Sequence, residues 1–316
     1  MAPTTQKTLK GLGFQKWSAF WLWTFIGGYF AAFNIWNMRK LDFEGSFQAN
    51  ALPGEYSWMK RTAGYKTLFR AHLACVLPCS VIALLQFIPQ LRNRYMSIHR
   101  TLGEAFFIMM GFGAPSGIMV AVHAFGAAEN PSIRLSIMIT GVLTICFLAS
   151  SFFCITTNVT ISRLRLKLHG ASNPDARDLR RYRAIDIRRH REFILRTLAV
   201  MSTGSFSSVY LILPEVMGWT LGHVAFSCRT LTEDLGLSAD PSYLRRTYPA
   251  CVMENGGHAG TVVAVKADLN GPVEELTAWG RAGIGMAFWA ALVLQMVLAE
   301  IYIRVQSKDD DRSDDL

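Results

Sequence analysis

Residues 68–90 read LFRAHLACVLPCSVIALLQFIPQ, an apolar run with very few charged side chains. A helix needs about 20 mostly apolar residues to cross the hydrocarbon core of a bilayer. Five other stretches have a similar length and composition, and they cover residues 17–37, 104–126, 135–161, 193–219 and 282–303. The sequence therefore predicts an all-α, polytopic membrane helix bundle with six transmembrane helices.

The charged residues indicate how this bundle is oriented. The chain has 316 residues, 51% of them hydrophobic, and a net charge of +9. Ten Lys or Arg residues lie between Arg163 and Arg191, in the connection between spans four and five. Such a loop is typical of the cytosolic side of a membrane, so we expect cytosolic termini, an endomembrane such as the endoplasmic reticulum, and no nucleic-acid partner. The first connection does not agree with this orientation, because its cations would lie on the non-cytosolic side. They are Arg39, Lys40, Lys60, Arg61 and Lys66.

This orientation divides the chain into successive segments. A cytosolic N-terminus (1–16) precedes transmembrane helices one to five (17–220, with a four-helix core over 68–219), a luminal cap (221–280), transmembrane helix six (281–304) and an acidic, disordered tail (305–316). Cys228 and Cys251 both fall in the cap. Because that side is oxidising, we expect a disulfide between them; the alternative is two unpaired cysteines.

Four histidines lie at the ends of apolar segments and predict a haem or metal site. His72 and His123 are each about one turn from the luminal end of a span, so we expect them at one depth as axial ligands of haem b. The alternative is that each is an interfacial histidine bonded to a backbone carbonyl. His99 and His190 form a second pair on the cytosolic side, where histidines and arginines are also ordinary headgroup anchors. The cations that would hold haem propionates there are Arg92, Arg94, Arg100 and Arg196.

The residues around these histidines carry a resemblance to a known group of proteins. They are His72, Gln86, Phe87, Arg92 and Arg94, then His99-Arg100 with Gly103, and then His190-Arg191 with Arg196. This pattern resembles a family of predicted multi-pass membrane proteins of unknown function found in bacteria and fungi. The resemblance covers residues 69–217, and the family's histidine pattern is similar to that of the cytochrome b561 proteins, which hold two haems.

This sequence departs from the cytochrome b561 arrangement because His99 and His123 lie at opposite ends of one helix. They are 24 residues apart, which is about 36 Å at a rise of 1.5 Å per residue. The hydrocarbon core is only about 30 Å thick. Two haems at these positions would be farther apart than an efficient electron relay needs, which favours one catalytic site.

The resemblance to fungal members implies a role in secondary metabolism, where small polytopic proteins include the terpene cyclases of meroterpenoid biosynthesis. Such a reaction needs an acid, and Glu215 near the luminal end of span five is the best-placed carboxyl group. Burial would keep it protonated; the alternative is a carboxylate that reaches the interface. A metal site built from His223, His258 and Glu254 is a further hypothesis.

Three functions follow from these features. The first is an integral membrane haem protein that cyclises or rearranges a lipophilic, isoprenoid-derived substrate with acid or haem assistance. The second is transmembrane electron transfer of the cytochrome b561 kind, and the third is a non-catalytic transporter or scaffold. In each case membrane lipid is a partner, and a homo-oligomer is left open.

Overall fold

The computed structural model describes residues 17–62, 64–125, 131–156, 176–216, 221–252 and 261–314. Nearly all of this backbone is helical, with a single two-stranded sheet in the described residues. Four of the described helices are long and apolar enough to cross a membrane. They are α5 (Tyr65–Gln86), α7 (Met96–Val122), α8 (Pro131–Thr156) and the first part of α13 (Val273–Asp314), over residues 273–305. This is the architecture of a multi-pass membrane protein.

The first and fifth predicted spans are helical but are each divided into shorter segments. Span one consists of α1 (Trp17–Leu22), a π-helical turn (Trp23–Gly27) and α2 (Gly28–Asn37), and the backbone stays right-handed through both junctions. Span five contains the end of α9 (Ala176–Met201), then α10 (Thr203–Tyr210) and α11 (Leu213–Val216). Six spans therefore remain a prediction, four of which are carried by single helices.

The remaining elements are short and lie between the spans. They are α3 (Gln48–Asn50), α4 (Glu55–Arg61), α6 (Pro89–Arg94), β1 (His223–Ser227), α12 (Pro241–Thr247) and β2 (Val262–Lys266). Two glycines with positive φ, Gly54 and Gly64, immediately precede α4 and α5. Helix α7 begins at Met96, eight residues before the predicted span, so it includes polar residues such as His99.

The chain divides into two compact units, which are described separately. The first comprises residues 1–139 and 204–291, and the second comprises residues 140–203 and 292–316. In the second unit, the Arg196 guanidinium donates to both carboxylate oxygens of Glu300 at 2.6 and 3.1 Å. The Ser151 hydroxyl lies 2.8 Å from His190 Nδ1.

Helices α5 and α7 of the first unit pack through small residues. A Cβ atom on Gly113 would lie 2.8 Å from Val76 Cγ2, and one on Gly117 would lie 2.8 Å from His72 Cε1. Val76 and His72 are one turn apart on α5, as Gly113 and Gly117 are on α7. Each larger side chain therefore fills the space above one glycine, which is how small residues bring membrane helices close together.

The cap, residues 221–280, has a core of its own in the first unit. Strands β1 and β2 pair antiparallel, with Val224 opposite Val265. Cys228, directly after β1, is disulfide-bonded to Cys251, with their Cα atoms 5.2 Å apart. The buried residues of this core are Val224, Phe226, Leu231, Leu244, Tyr248, Val265 and Ala278. Apolar burial and the covalent link both stabilise this insertion.

The first connection holds most of its cations in specific contacts. Four of its cations stand over aromatic rings: Arg39 over Trp36, Lys60 over Tyr56, Arg61 over Trp58 and Lys66 over Phe43. Lys66 is also ion-paired with Glu44, and Arg61 with Glu233 and Asp234. These cations take part in a folded segment, so their number alone does not report membrane orientation.

Candidate functional site

His72 packs tightly between α5 and α7. Its Nδ1 lies 2.8 Å from the Gly113 carbonyl oxygen and 3.3 Å from Ser116 Oγ. A carbonyl only accepts, so Nδ1 carries the proton in this hydrogen bond. The ring also occupies the space above Gly117, which leaves no gap for a flat macrocycle between the two helices at this level.

His123 lies farther along α7 and has an exposed side chain. It follows Gly117, the residue level with His72, by six positions, which corresponds to about 9 Å along a helix. Its Nδ1 lies 3.2 Å from the Met119 carbonyl oxygen. The two histidines therefore lie at different levels along the helix pair; their Nδ1 contacts to carbonyls would leave Nε2 free to ligate a metal, so it is the separation that matters here. This arrangement does not fit axial ligation of one haem by this pair.

The second predicted pair is divided between the two units. His99 belongs to the first unit and His190 to the second, where its Nδ1 lies 3.1 Å from the Ser151 carbonyl oxygen. Arg196, expected to hold a propionate, binds Glu300 through two hydrogen bonds. The other arginines of that prediction are exposed, namely Arg92, Arg94 and Arg100. Ligation by His99 and His190 remains a prediction.

Three other predicted residues cannot be placed at a site. The Glu215 side chain, Glu254 and His258 lie outside the described parts of the structure. Within the described parts, no group of three His, Cys, Asp or Glu side chains is arranged to hold a metal ion. His223 is described, and it is the predicted residue that the structure brings to a cavity.

The cavity has a volume of about 510 Å³ and lies between the start of β1 and the start of α13. This volume is within the range of about 300–1,000 Å³ that is typical of small-molecule sites. It is an open cleft, lined by apolar side chains together with an imidazole, a hydroxyl and an indole. The lining residues are Ser132, Leu221, His223, Val224, Ala225, Ala282, Met286 and Trp289. None of them carries a fixed charge, so the cavity suits an uncharged, lipophilic molecule.

Two glycines of α13 near the cavity allow close contact with neighbouring segments. A Cβ atom on Gly285 would lie 3.2 Å from Ser132 Oγ, and one on Gly283 would lie 2.7 Å from Leu211 Cδ1. The Trp289 indole N–H donates to Ser132 Oγ at 3.2 Å. These contacts hold α8 against α13 beside the cavity.

A charged junction lies next to the cavity, on the other face of α13. We define it as Glu55, Phe125, Phe226, Asp234 and Arg281. The Arg281 guanidinium lies 4.0 Å from the ring centre of Phe125 and 4.1 Å from that of Phe226. Burial raises the pKa of Glu55, and burial also raises that of Asp234, against the opposing charge of Arg61. The junction thus joins the first connection, the end of α7, β1 and α13.

Comparison with known proteins identifies a fungal relative. The chain is 78% identical, over 318 aligned residues, to the Ava biosynthesis cluster protein G of Aspergillus versicolor. The alignment covers 96% of this chain and 92% of the relative. The chain belongs to the family of that protein. No protein-family model and no solved structure matches the chain.

The alignment spans nearly all of both family members, so it includes the cap and the cavity. Sequence analysis identified His223 but not Ser132, Met286 or Trp289, since none belongs to a catalytic motif. One signal was present: Gly280-Arg281-Ala282-Gly283-Ile284-Gly285 places three glycines and an arginine at the start of span six. Such a run indicates a helix that neighbouring segments approach closely.

Proposed function

We propose that this chain acts in a fungal biosynthetic pathway as a membrane enzyme on an uncharged, lipophilic intermediate that binds in the cavity. The observation that carries this proposal is the cavity itself, in which the exposed imidazole of His223 borders apolar side chains of β1 and α13. The name of the relative supports the pathway assignment, because that protein is a member of a biosynthesis cluster.

His223 is the group that would move a proton in this reaction. Imidazole is a general acid and a general base near neutral pH, because its two protonation states are both populated there. Ser132 and Trp289 would orient the substrate, and the apolar wall of Ala282 and Met286 would contact its hydrocarbon part. The reaction would be a proton-driven cyclisation or rearrangement.

No haem enters this proposal, since the surroundings of His72 and His123 do not fit a shared haem. Acid chemistry by Glu215 remains compatible with it. Electron transfer would need the histidine pairs themselves and would not need the cavity. The competing functions therefore predict different effects of histidine replacement.

The test is metabolite profiling of a strain that lacks the gene and is complemented with variants. His223→Gln, which removes the proton-transfer group, and Ala282→Phe, which fills the cavity, should both accumulate the intermediate seen without the gene. His123→Gln, an exposed histidine, and Ala71→Phe, on an exposed position of α5, are the matched controls and should restore the product.

Two outcomes would contradict the proposal. Full complementation by both His223→Gln and Ala282→Phe would show that the cavity is not the reaction site. Loss of product in His123→Gln, with the His223 variant active, would favour the electron-transfer function. Loss in Ala282→Phe alone would retain the binding role and remove the catalytic role of His223.

A further inference from the structure

Arg281 is a charged side chain in an almost completely enclosed position. It is 1% exposed and belongs to the largest fully buried side chains of the described chain. Two phenyl rings, from Phe125 and Phe226, lie about equally close to its guanidinium. An arginine stacks on rings through its planar face while keeping its charge. The contact therefore depends on the shape of the guanidinium as well as on its charge.

The carboxylates of the junction offset the cost of burying this charge. Glu55 and Asp234 both interact electrostatically with Arg281. The absence of a side chain at Gly54 lets these segments approach, because an added Cβ would lie 2.9 Å from Phe125 Cζ and 3.4 Å from Asp234 Cβ. Buried charges need such partners to be tolerated. The junction thus surrounds Arg281 with both aromatic rings and carboxylates.

The same contact joins the two walls of the cavity. Phe226 directly follows Ala225, a lining residue of β1, and Arg281 directly precedes Ala282, a lining residue of α13. Ala282, Met286 and Trp289 recur at helical spacing on one face of α13, and the Arg281 guanidinium lies over Phe226 of the cap core, against which Ala282 also packs. Helix α13 therefore carries both Arg281 of the junction and the lining residues of the cavity.

We propose that Arg281 is a positioning residue that fixes the distance between β1 and α13 and so sets the width of the cavity. This inference rests on the proposed function, since it assigns the site that binds the substrate. Arg281 acts through Phe226 on the strand that carries His223, Val224 and Ala225.

Size-selective labelling of the cavity wall tests this inference. A cysteine at Met286, introduced as Met286→Cys, is labelled with N-ethylmaleimide and with the bulkier fluorescein maleimide in the detergent-purified full chain. Peptide-resolved mass spectrometry separates its label from that of the native cysteines. The ratio of bulky to small label is then compared among backgrounds with Arg281→Lys, Phe226→Leu or Arg229→Lys.

Arg281→Lys keeps the charge and loses the planar stacking, and Phe226→Leu loses one ring of the sandwich. Each should change the ratio of bulky to small label relative to the Met286→Cys parent, because loss of the contact alters the separation of β1 and α13. Arg229→Lys is the control, because Arg229 is an exposed cap residue paired with Glu233 at 2.9 Å. The ratio of bulky to small label in the Arg229→Lys background should equal that of Met286→Cys alone.

An unchanged ratio in either folded variant would overturn the positioning role. Failure of both variants to fold would also overturn it, since Arg281 would then be required for the fold as a whole. The labelling uses no substrate, so its result is independent of the metabolite assay that tests His223.

Discussion

The close contact between α5 and α7 predicts a specific sensitivity to one added methyl group. In Gly117→Ala the new Cβ would lie 2.8 Å from His72 Cε1 and 3.2 Å from His72 Nδ1. The imidazole cannot turn away freely, because its Nδ1 is bonded to the Gly113 carbonyl at 2.8 Å. Either this hydrogen bond breaks or the helices separate.

The cost follows from these two events. Overpacking a close-packed site typically costs about 1–3 kcal/mol, and losing a hydrogen bond costs about 0.5–1.5 kcal/mol. If the helices separate and the hydrogen bond also breaks, Gly117→Ala should lower the free energy of unfolding by about 1.5–4.5 kcal/mol, the sum of these terms. Gly111 is the matched control on the same helix, because its added Cβ would meet no atom within 4 Å.

The assay is the midpoint of thermal or denaturant unfolding of the detergent-purified protein. Gly117→Ala should unfold earlier than wild type, whereas Gly111→Ala should be neutral or slightly stabilised, since Ala is the better helix former. In a His72→Ala background, Gly117→Ala should cost much less than it does in wild type, because the added methyl group then meets no imidazole. Equal stability of Gly117→Ala and Gly111→Ala would refute the packing account and reopen the space between the helices for a cofactor.

Three further predictions follow from the other contacts. Replacing the disulfide by Cys228→Ser/Cys251→Ser opens a link across a separation of 23 residues, and should destabilise the cap by about 3 kcal/mol; unchanged protease resistance of the cap would contradict this. Burial raises the pKa of Glu55, so ionisation costs stability as pH rises above the ordinary glutamate value of about 4.3. Wild type should therefore lose stability relative to Glu55→Gln over that rise, and parallel pH profiles would contradict it. A pyridine haemochrome assay should give no haem bound through His72, so wild type and His72→Ala should give the same spectrum; a Soret band lost in the variant would contradict the structure of this site.

The sequence predicts the transmembrane part of the fold well, because membrane crossing depends on the length and composition of one segment. Runs such as residues 68–90 report it directly. The division of span one is harder to predict from the sequence, because a π-helical turn at Trp23–Gly27 needs no change in composition. The disulfide between Cys228 and Cys251 was predicted correctly, since both cysteines lie in the same insertion.

The partners of the histidines could not be predicted in the same way. A uniformly apolar helix gives a weak helical phase, so the sequence does not show that His72 faces Gly117. The glycines of α7 allowed either close packing or room for a flat cofactor, and the structure has close packing. The cavity was missed because its residues come from three distant segments and become neighbours only through the contacts of Gly283 and Gly285.

The central claim is that the cavity binds a lipophilic biosynthetic intermediate. Its most direct test is extraction of the purified protein from the producing strain, followed by mass spectrometry of the small molecules that remain bound. A compound enriched with wild type and with Ala71→Phe, but absent from Ala282→Phe, is the result expected here. Equal recovery from wild type and Ala282→Phe would contradict the assignment of the cavity.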